Sequence, residues 1–507
     1  MDADGEIKTM AFISLLLPRD DFQGWHDDLI KMLRNDTHQV VVSWRQGRST
    51  LPGMALVEDL ERLLGRRHRR PVISCKSEPH DIIAQVAQDK PDVVFDLSGS
   101  DHPEPGSVIP LFDGQAGDNA RDAALFDERA PRLQLVSLIE GEMHILADAL
   151  PALEHPWSLS AGRHAIARRL VHLIRAVARD GSIRRDVARQ SPEHRSGSPW
   201  TFLSRTLTAR IARRLKKLVA HDGHWRIGWR RIELGGSVYD TLHMPPASHW
   251  TWLDDDRQRY FADPFLFEHQ GTTYVFCEEF PYATRSGIIS VFTLDDQGRA
   301  TRPRPVLDCG THLSYPYVFA AGGHIWMMPE NAANGALELY RAAPFPDRWV
   351  LDRTLIAGRH LSDATPFRMN DRWWMTAADH RFGDSAWDTL ALFESDNLLG
   401  PWRACGEEAF MIDARCARPG GAVVHRNEAL WRPAQDCLSG YGSGLTLCRI
   451  DAVSLSGLEQ TVMAHLGPPA GAAFNGVHTL NLTDRFEIID AAGWVSMTSG
   501  ASSALRR

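Results

Sequence analysis

A pattern of about fifty residues recurs through the second half of this chain, a period typical of propeller blades. ADPFLFEHQGTTYVFCEEF (262–280) returns as SYPYVFAAGGHIWMMPEN (314–331), SDATPFRMNDRWWMTAADH (362–380) and RPGGAVVHRNEALWRPAQD (418–436). A shorter echo, NGVHTLNLTDRFEIIDAAG, lies at 475–493. Each unit opens on a polar residue beside a turn-former, and two short apolar runs then flank a tight turn. That is the signature of a hairpin of short strands. Pro264, Pro316, Pro366 and Pro419 are 52, 50 and 53 residues apart, room for a four-stranded blade with short connections. Five units predict an all-β five-bladed β-propeller. The last unit is short, so a strand from before Asp263 is expected to close the ring and remove its exposed edges. HWTWLDDD (249–256) and HWRIGWRRIEL (224–234) are the candidates.

The first half reads differently. Strand-like runs at 10–17, 38–44 and 91–97 alternate with helical patterns at 25–33, 53–67 and 79–88, which predicts an α/β domain on a parallel sheet. Asp96, Ser98 and Gly99 then fall at the end of a parallel strand, where ligand crevices form. Neither GxGxxG nor a P-loop is present. Residues 161–181 and 201–220 are basic and helical, with Leu203, Leu207, Ile211 and Leu215 at a spacing of four. Such a helix packs on a domain surface or lies near anionic headgroups. Twelve of the 16 tryptophans fall beyond residue 224. The expected domains are therefore 1–235, α/β with basic helices, and 240–498, the propeller.

The formal charge of −8 argues against nucleic acid as a partner. Seven cysteines without a CxxC suit a reducing compartment, although Cys405–Cys416 and Cys437–Cys448 remain conceivable pairs. The run AFISLLLP is too short to span a bilayer, and the residues before it do not form a signal peptide. A cytoplasmic protein is expected, with the basic helices in peripheral contact with the inner membrane surface.

In a propeller the starts of the innermost strands ring one mouth of the central channel. Asp263, Ser314 with Tyr315, Asp363, Arg418 and His478 occupy those starts. Glu278 or Glu279, Glu330, and Asp379 with His380 end the second strands. Carboxylates crowded at one mouth raise one another's pKa, the condition for keeping one acid protonated beside an ionised one. Glycosyl transfer uses such a pair. Arg418 or His478 would stabilise a departing phosphate. Tyr315, Trp326, Trp373, Trp374 and Trp387 offer stacking faces for sugar rings, although most suit a blade core. The candidate catalytic residues are Asp263, Glu330 and Asp363. The candidate substrate contacts are Glu279, Tyr315, Asp379, His380, Arg418 and His478. No metal and no cofactor are expected, since no compact D-x-D-x-D loop occurs.

ADPFLF with FCEEF, SYPYVF with MMPE, SDATPF with AAD, RPGG and GVHTL resemble bacterial relatives of the N-terminal domain of plant glucosamine inositolphosphorylceramide transferase, over roughly residues 240–495. That domain is similar to the five-bladed propellers of family 43 glycoside hydrolases. The resemblance implies a base on the first blade, matched by Asp263, with Glu330 and Asp363 as partner acids. At the second blade this chain has SYP where the hydrolases carry an orienting Asp, which disfavours hydrolysis. The relatives pair the propeller with a formyltransferase-like region, and the first half is similar in outline. It lacks the Asn-His-Asp set, so formyl transfer is not expected. The implied function is sugar transfer from a nucleotide-sugar donor to a lipid-linked or polysaccharide acceptor. The alternatives are a glycoside hydrolase and a non-enzymatic glycan-binding propeller.

Overall fold

The computed structural model describes the chain except residues 1–9, 20, 46–52, 66–89, 101–102, 140–141, 181–196, 218–219, 233–235, 255, 381–384, 407–408 and 497–507. The chain divides into two compact units, 1–209 and 210–507.

The first unit is built on one mixed sheet. Its strands are β1 (Phe12–Pro18), β2 (Gln39–Arg45), β3 (Val93–Asp96), β4 (Val108–Phe112), β5 (Gln115–Ala116), β6 (Leu133–Ile139) and β7 (Glu142–Ala149). The order β2-β1-β3-β4 is parallel, as the alternating pattern predicts, and β6 and β7 extend it antiparallel. Helices α1 (Gly24–Asn35), α2 (Met54–Gly65), α3 (Asp118–Phe126) and α4 (Leu159–Asp180) complete it, together with the start of α5 (Pro199–Lys217), which runs past residue 209. The central strands are mostly apolar, and Ile13, Leu15, Leu17 and Phe95 are fully buried. The expected helix at 79–88 lies outside the described residues. In α5 Phe202 and Thr206 are buried and Leu207 is exposed; the side chains of Ile211 and Leu215 lie outside the described residues. Asp96 ends β3 as expected. Its carboxylate accepts from Ser98 N–H and Oγ at 3.1 and 2.6 Å and from Glu104 N–H at 2.9 Å, so it organises the loop that follows.

The second unit is a five-bladed propeller. Blade 1 runs Arg259–His269, Thr272–Pro281, Ile288–Leu294, Arg304–Leu307. Blade 2 runs Ser314–Ala321, His324–Glu330, Ala336–Ala342, Trp349–Ala357. Blade 3 runs Leu361–Met369, Arg372–Asp379, Thr389–Ser395, with Arg403–Ala404 and Met411–Ile412 both pairing the third strand. Blade 4 runs Val424–Arg426, Ala429–Asp436, Gly444–Ser454, Gly457–Leu466. Blade 5 takes Phe474–Gly476, Leu480–Leu482 and Phe486–Ser496 from the end of the unit, then Ala220–Arg231 and Thr251–Trp252 from its start. Both candidate closing segments are therefore used. The division expected near 235–240 falls inside this unit, because Ala220–Arg231 pairs along the whole length of Phe486–Ser496.

Each blade is apolar on the face it presents to the next, and the buried clusters sit between consecutive blades. Phe276, Val291, Val318 and Met327 fill the first junction. Trp326, Leu339, Met375 and Phe393 fill the second, and Phe367, Leu392 and Ile450 the third. Trp431, Leu447, Leu480 and Ile489 follow. Ile227, Trp229, Val275 and Ile488 seal blade 5 to blade 1. The tryptophan richness has a local cause. Trp326, Trp374 and Trp431 each donate Nε1–H to the carbonyl five residues earlier, at 2.9, 3.2 and 3.1 Å, bracing the same hairpin in three blades. Trp326 and Trp374 are thereby core residues and not sugar platforms. All six described cysteines are free.

Candidate active site at the propeller mouth

The inner strands of blades 1 to 3 share a break in register, between Ala262 and Phe265, Ser314 and Tyr317, and Ser362 and Thr365. At each break one residue has a left-handed backbone: Asp263 (φ 48°), Tyr315 (φ 45°) and Asp363 (φ 56°). A β-bulge leaves its extra residue out of the ladder and re-aims the side chain. The bulge N–H must then find another partner, and an acid from a neighbouring position takes it. Asp263 N–H donates to Asp490 Oδ2 at 3.0 Å, Tyr315 N–H to Asp263 Oδ2 at 3.3 Å, and Asp363 N–H to Glu330 Oε2 at 3.2 Å. The acids thus hand the ring from blade 5 to blade 1, 1 to 2 and 2 to 3. In blade 3 the residue after the bulge is Ala364, and Pro366 lies two further on. The equivalent spacings are therefore 52 and 48, and the even proline ladder was partly coincidence.

Asp263 and Asp363 are 4% and 2% exposed. Thr479 Oγ1 donates to Asp263 Oδ1 at 2.8 Å, and His478 Nε2 lies 3.3 Å from the same oxygen. His478 Nδ1 stands 2.7 Å from Asp490 Oδ2. Arg418 Nε and Gln435 Nε2 donate to Asp363 Oδ2 at 2.6 and 2.9 Å. Glu330 Oε1 accepts from Ser362 Oγ at 3.0 Å, and Ser362 Oγ contacts His380 Nε2 at 2.8 Å. Asp263, Glu330, Asp363, His380, Arg418 and His478 are thus joined through short contacts in two linked groups, one centred on blades 5 and 1 and one on blades 2 to 4.

Burial pushes the Asp263 carboxyl up to about 6; His478 opposes this, while Asp363 and Asp490 add to it. Burial likewise pushes Asp363 up to about 7, against the pull of Arg418 and with the help of Glu330. Burial alone would lower the His478 imidazole, but Asp490 and Asp263 outweigh it and hold it above its ordinary value. Fixed neighbours thus separate the titrations of groups that share one small space.

Tyr315 does not offer a sugar platform. It is 1% exposed, and its hydroxyl meets Thr365 Oγ1 at 2.9 Å and accepts from Gly421 N–H at 2.8 Å. It therefore ties blades 2, 3 and 4 together across the axis. Glu279 and Asp379 are bound by neighbouring chain: Glu279 to Arg259 and to Ser290 Oγ at 2.6 Å, Asp379 to Arg359, just ahead of its own blade. Thr311 and Asn331 repeat the same twenty-residue clasp in blade 2. Recurrence in three blades marks these contacts as structural.

Sequence reading missed Asp490, which ends RFEIID just as Glu330 ends IWMMPE, and it missed Tyr441. Tyr441 lies beside Trp387, His478 and Trp225, at centroid distances of 5.6, 5.4 and 6.3 Å, with the Arg418 guanidinium 5.1 Å from its ring. This forms an aromatic corner next to the acids. Asp263, His478 and Asp490 also bring one ligand atom each within 4.8 Å of one another, a spacing a divalent cation accepts. Their ion pairs and backbone hydrogen bonds already account for it.

Fold and site together define a five-bladed propeller with buried acids at the bulges of its inner strands. Residues 254–500 match the family described as "Glucosamine inositolphosphorylceramide transferase 1, N-terminal", in agreement with the resemblance carried by the repeat motifs. The rice (Oryza sativa subsp. japonica) protein glucosamine inositolphosphorylceramide transferase 1 is 32% identical over 254 residues, 48% of this chain and 33% of its own length. The Arabidopsis thaliana protein of that name is 33% identical over 199 residues, 38% of this chain and 26% of its own. The match thus spans about a third or less of these relatives. Among solved structures, the GH43_1 enzyme from Xanthomonas citri complexed with xylose is 13% identical, covering 46% of this chain and 87% of that chain, with a TM-score of 0.35. Zg3597, a family 117 glycoside hydrolase from Zobellia galactanivorans, is 11% identical, covering 53% and 90%, with a TM-score of 0.32. Among the described residues no helix is long and apolar enough to cross a membrane.

Proposed function

We propose that this chain transfers a sugar from a nucleotide-sugar donor to a lipid-linked or polysaccharide acceptor, with the chemistry at the propeller mouth. The observation that carries the reading is the pair of buried carboxyls, Asp263 at about 6 and Asp363 at about 7, where an acid or a base is most effective near neutral pH. The names of the plant relatives support a transferase acting on an inositolphosphorylceramide lipid. Asp263, ionised and oriented by Thr479 and His478, would take the proton of the acceptor hydroxyl. Glu330 and Asp363, linked through the Asp363 N–H and flanked by Arg418, would bind the sugar and its departing phosphate. The corner of Trp387 and Tyr441 would stack the sugar ring. Acceptors at a membrane surface would be reached from the cytoplasmic side, helped by the basic helices.

Purified protein incubated with a panel of nucleotide sugars, lipid and glycan acceptors, and aryl glycosides tests this. Acceptor-dependent release of nucleotide is expected. Release of aryl alcohol alone would convert the reading to a hydrolase, and glycan binding without turnover would make the propeller a binding module.

A further inference from the structure

Strand register assigns Glu278, not Glu279, as the blade 1 counterpart of Glu330: Ala262 pairs with Glu278 and Ser314 with Glu330 at equivalent ladder positions. The two acids differ in what they hold. Glu330 clasps the next blade through Asp363 N–H and Ser362 Oγ. The corresponding N–H for Glu278 is that of Tyr315, and Asp263 takes it. Glu278 is left as a 5% exposed carboxyl whose contacts are long, Tyr260 Oη at 3.4 Å and His312 Nε2 at 3.7 Å. Gly287 makes room for it: a Cβ there would come within 2.7 Å of Glu278 Oε1. Around it stand Tyr260 stacked on Phe280 at 4.7 Å, Tyr282 at 6.3 Å from Tyr260, and the exposed ring of His312. Glu278 is thus housed with one long hydrogen bond, from Tyr260, and without the backbone clasp that Glu330 makes.

We propose that Glu278 is a catalytic acid of the propeller mouth, which enters the reaction as a neutral carboxylic acid and gives its proton to the departing phosphate oxygen. This rests on the sugar-transfer reading. As the bond between the anomeric carbon and the phosphate oxygen breaks, its electron pair stays on that oxygen and the Glu278 proton moves to it. The acceptor oxygen bonds to the anomeric carbon as its own proton passes to Asp263. Solvent then returns a proton from Asp263 to Glu278, leaving both as they began. The groups facing Glu278 explain the need. Asp263, Glu330 and Asp490 act on it electrostatically and Tyr260 and His312 lie alongside, and a diphosphate leaving group would gain charge against these acids. Burial, reinforced by Asp263 and Glu330, holds the Glu278 carboxyl well above its ordinary range.

The test compares wild type with Glu278→Gln and Glu279→Gln, using the nucleotide sugar that wild type turns over. Glu278→Gln is expected to lower kcat roughly 100-fold or more, the usual share of a general acid, with KM nearly unchanged and the alkaline limb of the pH profile gone. It should also delete the infrared C=O stretch of a protonated carboxyl at neutral pH. Wild-type turnover together with an unchanged kcat and alkaline limb in Glu278→Gln would overturn the role of Glu278 alone. Absence of wild-type turnover with every nucleotide sugar would overturn the sugar-transfer reading itself, and the role with it. Loss of kcat in Glu279→Gln with a retained alkaline limb would show only that the Arg259 clasp had been broken.

Discussion

Asp263 and Asp363 set stability and reactivity against each other. Both carboxyls titrate above the ordinary 3.8, at about 6 and about 7, so the fold favours their protonated forms. Their contribution is complete below about pH 4 and is lost as pH rises through their folded values. A pKa raised by one corresponds to about 1.4 kcal/mol, so the pair should cost on the order of 2 kcal/mol or more between about pH 5 and pH 8. Urea unfolding of wild type against the Asp263→Asn/Asp363→Asn double variant tests this. The amides cannot ionise, so the variant should lose less stability over that window, whatever its absolute stability. Parallel slopes would refute the elevated titrations. Activity should run the other way. Under the proposed mechanism Asp263 must be ionised, so kcat/KM should fall below about pH 6 on its acid side, and the protein would work where its own acids begin to strain it.

At the scale of strands and bulges, Tyr315 ties its own blade to the two that follow. Tyr315→Phe keeps the ring and removes the acceptor that holds Gly421 N–H at 2.8 Å. An unpartnered buried donor costs roughly 1–3 kcal/mol; the urea midpoint should fall accordingly, while the Asp263 and Asp363 contacts remain. Gly421→Ala should be worse, because the Cβ would come within 2.2 Å of the Leu480 carbonyl oxygen at a φ of 137°. Blade number and strand order were legible in sequence, because alternation and turn chemistry are local and repeat. The bulge was not. It inserts a residue that no hydropathy pattern marks, and Pro366 stands three residues past it where Pro264 and Pro316 stand one; nor does the pattern separate Glu278 from Glu279. Faces alternate along a strand, and a one-residue error exchanges the side that meets the mouth for the side that clasps the blade. Asp490 escaped for a related reason: its role depends on a neighbour more than two hundred residues away, Asp263.

For the whole molecule the decisive feature is closure. Blade 5 is assembled from both ends of the second unit, with Ala220–Arg231 laid antiparallel on Phe486–Ser496. That strand also carries Ile227 and Trp229 into the core between blades 5 and 1 and places Trp225 against His478, with ring centroids 4.0 Å apart. The same segment therefore closes the ring, fills its last junction and borders the candidate site. Without it, Phe486–Ser496 becomes an exposed edge in the fifth blade, the geometry that invites aggregation, and Asp490 on that strand loses the frame in which it holds Asp263 and His478. A fragment of residues 210–507 should melt cooperatively and keep the low-pH stabilisation described above. A fragment of residues 232–507, which still contains every proposed catalytic residue, should aggregate or bind hydrophobic dye. Thermal unfolding and light scattering on the two fragments decide the matter. Equal, cooperative melting of both would mean that four blades and an incomplete fifth hold the mouth together, and that closure is not what positions its acids.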